Sequence, residues 1–192
     1  MFAGPSEDVP NTNNDGNNLA MVRTYYSVAL DHTADEVWAV VRRFDRHEWS
    51  GIKAGAAVED GMLGNEAGMM RCLRQDGKQI FERLIAHSDV NRSYVYECCE
   101  PAFEPIRSYR ATISVYPIVE TAKALVEWWA DLDDVTGDDG SPIGEILNRG
   151  FAKSLISLRS FMASRNAERV LSSTAQDRRN VHCADRVMLR LV

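Results

Sequence analysis

The sequence predicts an α+β fold in which a curved antiparallel sheet wraps around one long helix near the C-terminus. Three observations carry that prediction. Residues 53–131 read as a run of strands, rich in β-branched and aromatic residues and broken by turn residues. An amphipathic stretch, 143–162, follows with apolar residues at helical spacing. Lys53, Arg71, Glu82 and Glu127 lie on the strands where they would point into the hollow that such a sheet leaves against its helix. Charge in an apolar hollow is costly unless it is paired or meets a ligand.

The elements follow in chain order. Residues 1–20 are rich in Asn, Gly, Asp and Pro and are expected to form a disordered lead. Residues 22–30 are the first strand. Thr33 and Glu36 have the spacing of a capping box, in which two side chains satisfy each other's free backbone N–H groups. Val37, Trp38, Val40, Val41 and Phe44 give the helix behind it an apolar face. Residues 45–50 add a short helical turn carrying Trp49. Residues 53–60 are a second strand, weakened by small side chains. Residues 66–74 and 78–86 are strands joined at Gln75-Asp76-Gly77, where Asp-Gly signals a hairpin. Residues 93–100 follow, then a loop marked by Pro101 and Pro105. In 107–118 the residues Tyr109, Ala111, Ile113 and Val115 share one face, and 124–132 is the last strand. In the long helix Ile146, Leu147, Phe151, Leu155, Leu158 and Met162 form the apolar face. Gly150 inside it costs ~1 kcal/mol relative to Ala, which a close approach to the sheet would explain. Residues 21–165 make one domain. The tail, 166–192, reads equally as disorder or as an added terminal helix.

Composition narrows the function classes. The 192 residues suggest one domain, and 45% hydrophobic residues suffice for a real core. A formal net charge of -6 argues against nucleic acid, because phosphate binding needs a basic surface. No run approaches the ~20 apolar residues of a membrane span, and the first residues lack the features of a secretion signal. The acidic cluster Asp131, Asp133, Asp134, Asp138 and Asp139 reads as a solvated loop, since its spacing does not fit a calcium loop. Cys72, Cys98, Cys99 and Cys183 lack zinc-type spacing and read as reduced packing residues of a cytoplasmic protein. His32, His47, His87 and His182 show no ligand spacing, and His47 is placed at the cavity mouth. Neither metal nor cofactor is expected.

The segments Val37-Trp38, Asp76-Gly77, Glu82-Arg83-Leu84, Tyr94-Val95-Tyr96 and Tyr109-Arg110-Ala111-Thr112-Ile113 occur in the succession of the helix-grip arrangement. Together they resemble the polyketide cyclase/dehydrase and lipid-transport branch of the START-like (SRPBCC) superfamily, over about residues 22–163. The resemblance implies a seven-stranded antiparallel sheet gripping the C-terminal helix around an apolar cavity. It does not imply one activity, since members bind lipids, hormones or polyketides and some are enzymes. The pocket is also similar to that of the plant abscisic acid receptors. Lys53 after Ile52 looks like their carboxylate-binding lysine, and Arg71, Glu82, Tyr109 and Glu127 match polar pocket positions. The receptor gate reads Ser-Gly-Leu-Pro and the latch His-Arg-Leu. Here those regions are Arg74-Gln75-Asp76-Gly77-Lys78 and Phe103-Glu104-Pro105-Ile106, so hormone signalling does not carry over.

Strand parity divides the candidates further. Arg71 shares a face with Met69 and Leu73, and Glu82 with Ile80, Leu84 and Ala86. Both sets suit a cavity wall, yet Arg71 and Glu82 would also form a cross-strand pair. Glu127 lies with Leu125, Trp129 and Asp131. If it points inward, an apolar stripe with Trp128 faces out and would suit a homodimer. If not, it is a solvated residue. Trp38 and Trp49 read as core and rim residues. The candidate ligand-binding residues are Lys53, Arg71, Glu82, Tyr109, Glu127 and Trp49. The favoured function is binding of a small hydrophobic or amphipathic molecule, such as a lipid, terpenoid or polyketide, in which a carboxylate would meet Lys53 or Arg71. The alternative is a cyclase or dehydratase with Glu82 or Glu127 as the proton-transfer group.

Overall fold

In the computed structural model, residues 21–52, 54–55, 64–75, 78–99, 106–134 and 141–188 are described. They form β1 (Met21–Leu30), α1 (Ala34–Val41), a 3₁₀ turn (Glu48–Ser50), β2 (Ala54–Gly55), β3 (Met70–Gln75), β4 (Lys78–Ser88), β5 (Ser93–Cys98), β6 (Ile106–Ile118), β7 (Lys123–Asp134) and α2 (Ser141–Met188). The sheet runs β1-β7-β6-β5-β4-β3-β2 with antiparallel neighbours throughout. Six strands of at least six residues carry it. The remaining one, β2, is a two-residue pairing of Ala54 and Gly55 with Leu73 and Cys72. Pairing of β1 with β7 brings the start of the sheet beside its last strand, and the curved sheet faces α2.

The capping box forms as the spacing requires. The Glu36 N–H donates to Thr33 Oγ1 at 3.3 Å, and the Thr33 N–H donates to Glu36 Oε2 at 3.0 Å. The helix then buries Ala34, Val37, Trp38 and Val41. Alternation sends Ala124, Val126, Trp128, Ala130 and Leu132 of β7 into the core, with Tyr109, Ala111, Ile113 and Val115 of β6 beside them. From α2, Phe151, Leu155, Leu158 and Met162 close the core along one helical face. The rings of Trp128 and Phe151 stack with centroids 4.5 Å apart.

Several expectations are corrected here. The register shifts between Leu84 and Ala86, a bulge that reverses the facing of the rest of β4. Ala86 is therefore exposed, and His87 turns in against Trp38 and Tyr94, with centroids at 5.3 and 6.4 Å. The acidic stretch is not all loop: β7 extends through Asp134, and Asp131 accepts 2.6 and 2.9 Å bonds from Arg23. Gly150 makes no close approach, since a Cβ built there meets nothing within 4 Å. The close approach is at Gly51 instead, whose φ of 74° ends the 3₁₀ turn and whose Cβ would lie 2.9 Å from Ser157 Oγ on α2. The backbone of α2 stays helical for 48 residues, to Met188, past Met162, the last buried residue of α2 among those whose side chains are described. Residues 1–20 lie outside the described residues. Among the described residues no helix is long and apolar enough to cross a membrane.

Candidate functional site

A cavity of about 470 Å³ lies between the β3–β4 hairpin, the 3₁₀ turn, the inner faces of β5 to β7 and the first turns of α2. Its apolar wall comes from Leu73, Ile80, Trp128, Leu147 and Phe151. Strand alternation supplies the first three, and helical spacing supplies the last two.

Into this wall the sheet sets a polar node. Arg71 and Glu82 stand directly opposite each other in the β3–β4 register. Both side chains point inward and are almost fully buried, with residue exposures of 2% and 3%. Arg71 Nε donates to Glu82 Oε2 at 2.5 Å, and Tyr109 Oη donates to Glu82 Oε1 at 2.5 Å. Arg71 Nη1 donates to the Phe44 carbonyl and to His47 Nδ1, each at 3.3 Å. The guanidinium lies over the Phe44 ring at 4.1 Å and the Tyr96 ring at 4.9 Å, a cation–π setting that helps hold a charge away from water. Arg71 Nη2 and the buried Tyr94 hydroxyl make no hydrogen bond of full geometry with a described residue, although the guanidinium and the phenol interact electrostatically.

Electrostatics fixes the protonation of the node. Burial works to lower the Arg71 pKa, but the Glu82 carboxylate together with Tyr94 and Tyr96 outweighs it and holds it above the ordinary value. Burial, reinforced by Arg71, pushes His47 well below 6.5, so the imidazole stays neutral and accepts through Nδ1. Burial and then the charge of Glu82 push Tyr96 and Tyr109 well above 10, so both remain neutral phenols. Trp128 Nε1 donates to Tyr96 Oη at 3.0 Å, which fixes that ring in the wall.

The structure brings Arg71, Glu82 and Tyr109 together and separates the other candidates. Glu127 is not in the cavity: its face of β7 is the outer one, and it accepts a 2.8 Å bond from the Tyr25 hydroxyl there. Trp128, its neighbour, is 3% exposed and lines the cavity, so the outward apolar stripe that suggested a homodimer does not exist. Trp49 is core. It is 1% exposed and packs behind the lining against His47 and Trp128, at 4.7 and 5.8 Å between centroids. His47 sits beside Arg71 in the buried wall, not at the mouth, because the 3₁₀ turn folds it under Trp49. Lys53 lies outside the described residues. Arg74, Ser50, Tyr96, Lys153 and Ser154 also line the cavity. The same-face spacing of Tyr94 and Tyr96, and the i, i+4, i+7 spacing of Ile146, Gly150 and Lys153, were the signals for part of that set. Among the described residues no group of three His, Cys, Asp or Glu could hold a metal.

Searches against known proteins agree with this geometry. A search of curated proteins gave no match. A Nitrosospira multiformis protein has a similar structure, with a TM-score of 0.63, 21% identity and coverage of 76% of this chain and 99% of its own. A Bacillus thuringiensis crystal structure superposes with a TM-score of 0.62 and 25% identity, covering 74% and 99%. A START superfamily protein from Mycobacterium smegmatis reaches 0.58 at 10% identity, covering 74% and 97%. The profile of the family described as polyketide cyclase / dehydrase and lipid transport matches residues 21–162. A helix gripped by an antiparallel sheet, with a polar node inside an apolar cavity, is thus the form this sequence gives to a fold it shares widely, and the chain belongs to the family described as polyketide cyclase / dehydrase and lipid transport.

Proposed function

We propose that the chain binds a small amphipathic molecule, of the lipid, terpenoid or polyketide class, in this cavity. The observation that carries the reading is the buried Arg71–Glu82–Tyr109 node set in an otherwise apolar wall. Burying the ligand's hydrocarbon supplies affinity at ~25 cal/mol per Å². The node supplies orientation, and Arg71 Nη2 leaves it one donor without a hydrogen bond of full geometry to a described residue. Both oxygens of Glu82 are already engaged, which favours a holding role over proton transfer. With Glu127 on the outer face, Glu82 is the only one of the two candidate acids left to an enzymatic reading. The buried Cys72 thiol, which forms no disulfide with a described residue, suits a cytoplasmic protein.

Native mass spectrometry of protein freshly purified from its own host tests the reading. The expected result is a co-purifying species of a few hundred daltons that disappears from a Leu73→Trp/Phe151→Trp variant with a filled cavity. A species retained equally by that variant would place the ligand elsewhere and end this reading.

A further inference from the structure

The charged residues of the cavity lining fall into two sets. Deep in the wall Arg71 and Glu82 neutralise each other at 2.5 Å. At the open side Arg74 and Lys153 are exposed, and neither makes an ion pair with a described residue. The lining therefore has an electrically balanced floor and a positive rim, in a chain whose formal net charge is -6. An anion driven to the floor would have to sit against the Glu82 carboxylate or displace it. At the rim it meets two cations and stays partly hydrated, avoiding the cost of full desolvation.

The rim is also open where a ligand has to pass. Ile146, Gly150 and Lys153 lie one turn apart on one face of α2, and Gly150 leaves a gap between them, with nothing within 4 Å of its absent Cβ.

Resting on the binding reading above, we propose that the occupant is an anionic amphiphile that enters tail first. Its charged end stays at the mouth between Arg74 and Lys153. Its apolar body fills the cavity, and its far end is uncharged and meets the Arg71–Glu82–Tyr109 node, where a hydroxyl or carbonyl there would be hydrogen-bonded. This orientation reverses the one in which an inward-facing arginine grips a carboxylate. Exposed charges contribute modestly, so two of them are worth about three- to tenfold in affinity at low salt, and this gain falls as salt screens them.

The test uses four probes of one chain length: decanoate, its methyl ester, decanol, and decanoate carrying a terminal hydroxyl. Binding is followed by calorimetry and by intrinsic tryptophan fluorescence, to which Trp128 of the cavity lining contributes. Decanoate is expected to bind about three- to tenfold more tightly than the ester or the alcohol at low salt, and the terminal hydroxyl to tighten binding further. In an Arg74→Gln/Lys153→Gln variant, whose exposed substitutions leave the core intact, the preference for decanoate is expected to vanish while decanol affinity is unchanged. Decanol binding as tightly as decanoate would overturn the orientation and leave the binding reading standing. A preference for decanoate that survives the double substitution would do the same. Binding by none of the four probes would overturn the binding reading and the orientation with it.

Discussion

The two walls of the sheet each hold a glutamate to a tyrosine. On the outer wall Glu127 accepts from Tyr25 at 2.8 Å, beside a tyrosine that is 46% exposed. On the inner wall Glu82 accepts from Tyr109 at 2.5 Å and also from Arg71 at 2.5 Å, with all three side chains buried. Water supplies the outer carboxylate with most of its solvation. The inner one has none to draw on, so the protein provides a cation, a phenol, two aromatic faces and a neutral imidazole around a single ion pair. The same side chain is thus cheap on one face and requires a supporting network on the other. Stability alone does not account for a network of that kind inside a cavity, because replacing a buried ion pair by apolar residues is often neutral or stabilising.

The largest break in this comparison comes from removing one partner. Glu82→Ala leaves the Arg71 guanidinium buried without its counter-charge, and the expected loss is about 3–5 kcal/mol of stability, read from urea denaturation. The double variant Arg71→Met/Glu82→Leu removes both charges and is expected to recover most of that loss while losing any ligand oriented by the node. If Glu82→Ala proved as stable as the native chain, the pair would not be buried as described.

A second break uses pH. Folded, His47 is held neutral by burial and by Arg71, well below its ordinary 6.5. Unfolded, it takes up a proton near that value. The unfolded state then binds more protons below pH 6.5, so the stability is complete above that pH and is lost as the pH falls. The expected slope reaches about 1.4 kcal/mol per pH unit from this residue. His47→Gln keeps an acceptor for Arg71 and cannot titrate, so its stability between pH 7 and 5 is expected to be flatter by that amount. Equal slopes in both proteins would remove His47 from the node.

Much of the inner wall was legible in the sequence, and the reasons are local. Alternation placed Arg71 with Leu73, and Glu82 with Ile80 and Leu84, and the capping box at Thr33 marked the start of α1. Alternation alone did not decide the sign at Glu127, because both faces of β7 carry apolar residues and Trp128 and Trp129 compete for the core. The choice was made by the partners, since Trp128 has Phe151 to stack on and Tyr96 to bond. The bulge in β4 had no sequence signal, so Ala86 was set on the wrong face and His87 was missed. His47 was singled out but set at the mouth when it belongs to the buried wall, because a 3₁₀ turn of three residues has no periodicity to read.

A smaller effect sharpens the contrast between filled and empty parts of the inner wall. Gly150 is helical, lines the cavity and has nothing within 4 Å of the position of its Cβ. Gly150→Ala removes backbone freedom from the unfolded chain without a clash, and is expected to raise stability by about 0.5–1 kcal/mol. Gly150→Leu is expected to keep that gain while narrowing the mouth and slowing ligand uptake. A loss of stability in the alanine variant would show that the gap is occupied in solution.

The smallest effect belongs to the outer wall and closes the comparison. Glu127→Gln keeps the shape of the side chain and an acceptor for the Tyr25 hydroxyl, and water reaches that hydroxyl when the bond weakens. The expected change is within about 0.5 kcal/mol, with ligand binding unaffected, whereas Glu82→Gln, equally conservative in shape, leaves Arg71 with no counter-charge and carries most of the larger penalty. The two substitutions make the same chemical change on opposite faces of the sheet, one of them beside a buried cation. Equal effects, measured under one set of conditions, would mean that water reaches Glu82 as freely as it reaches Glu127, and the cavity would then be a wet cleft with no need for the network around its ion pair.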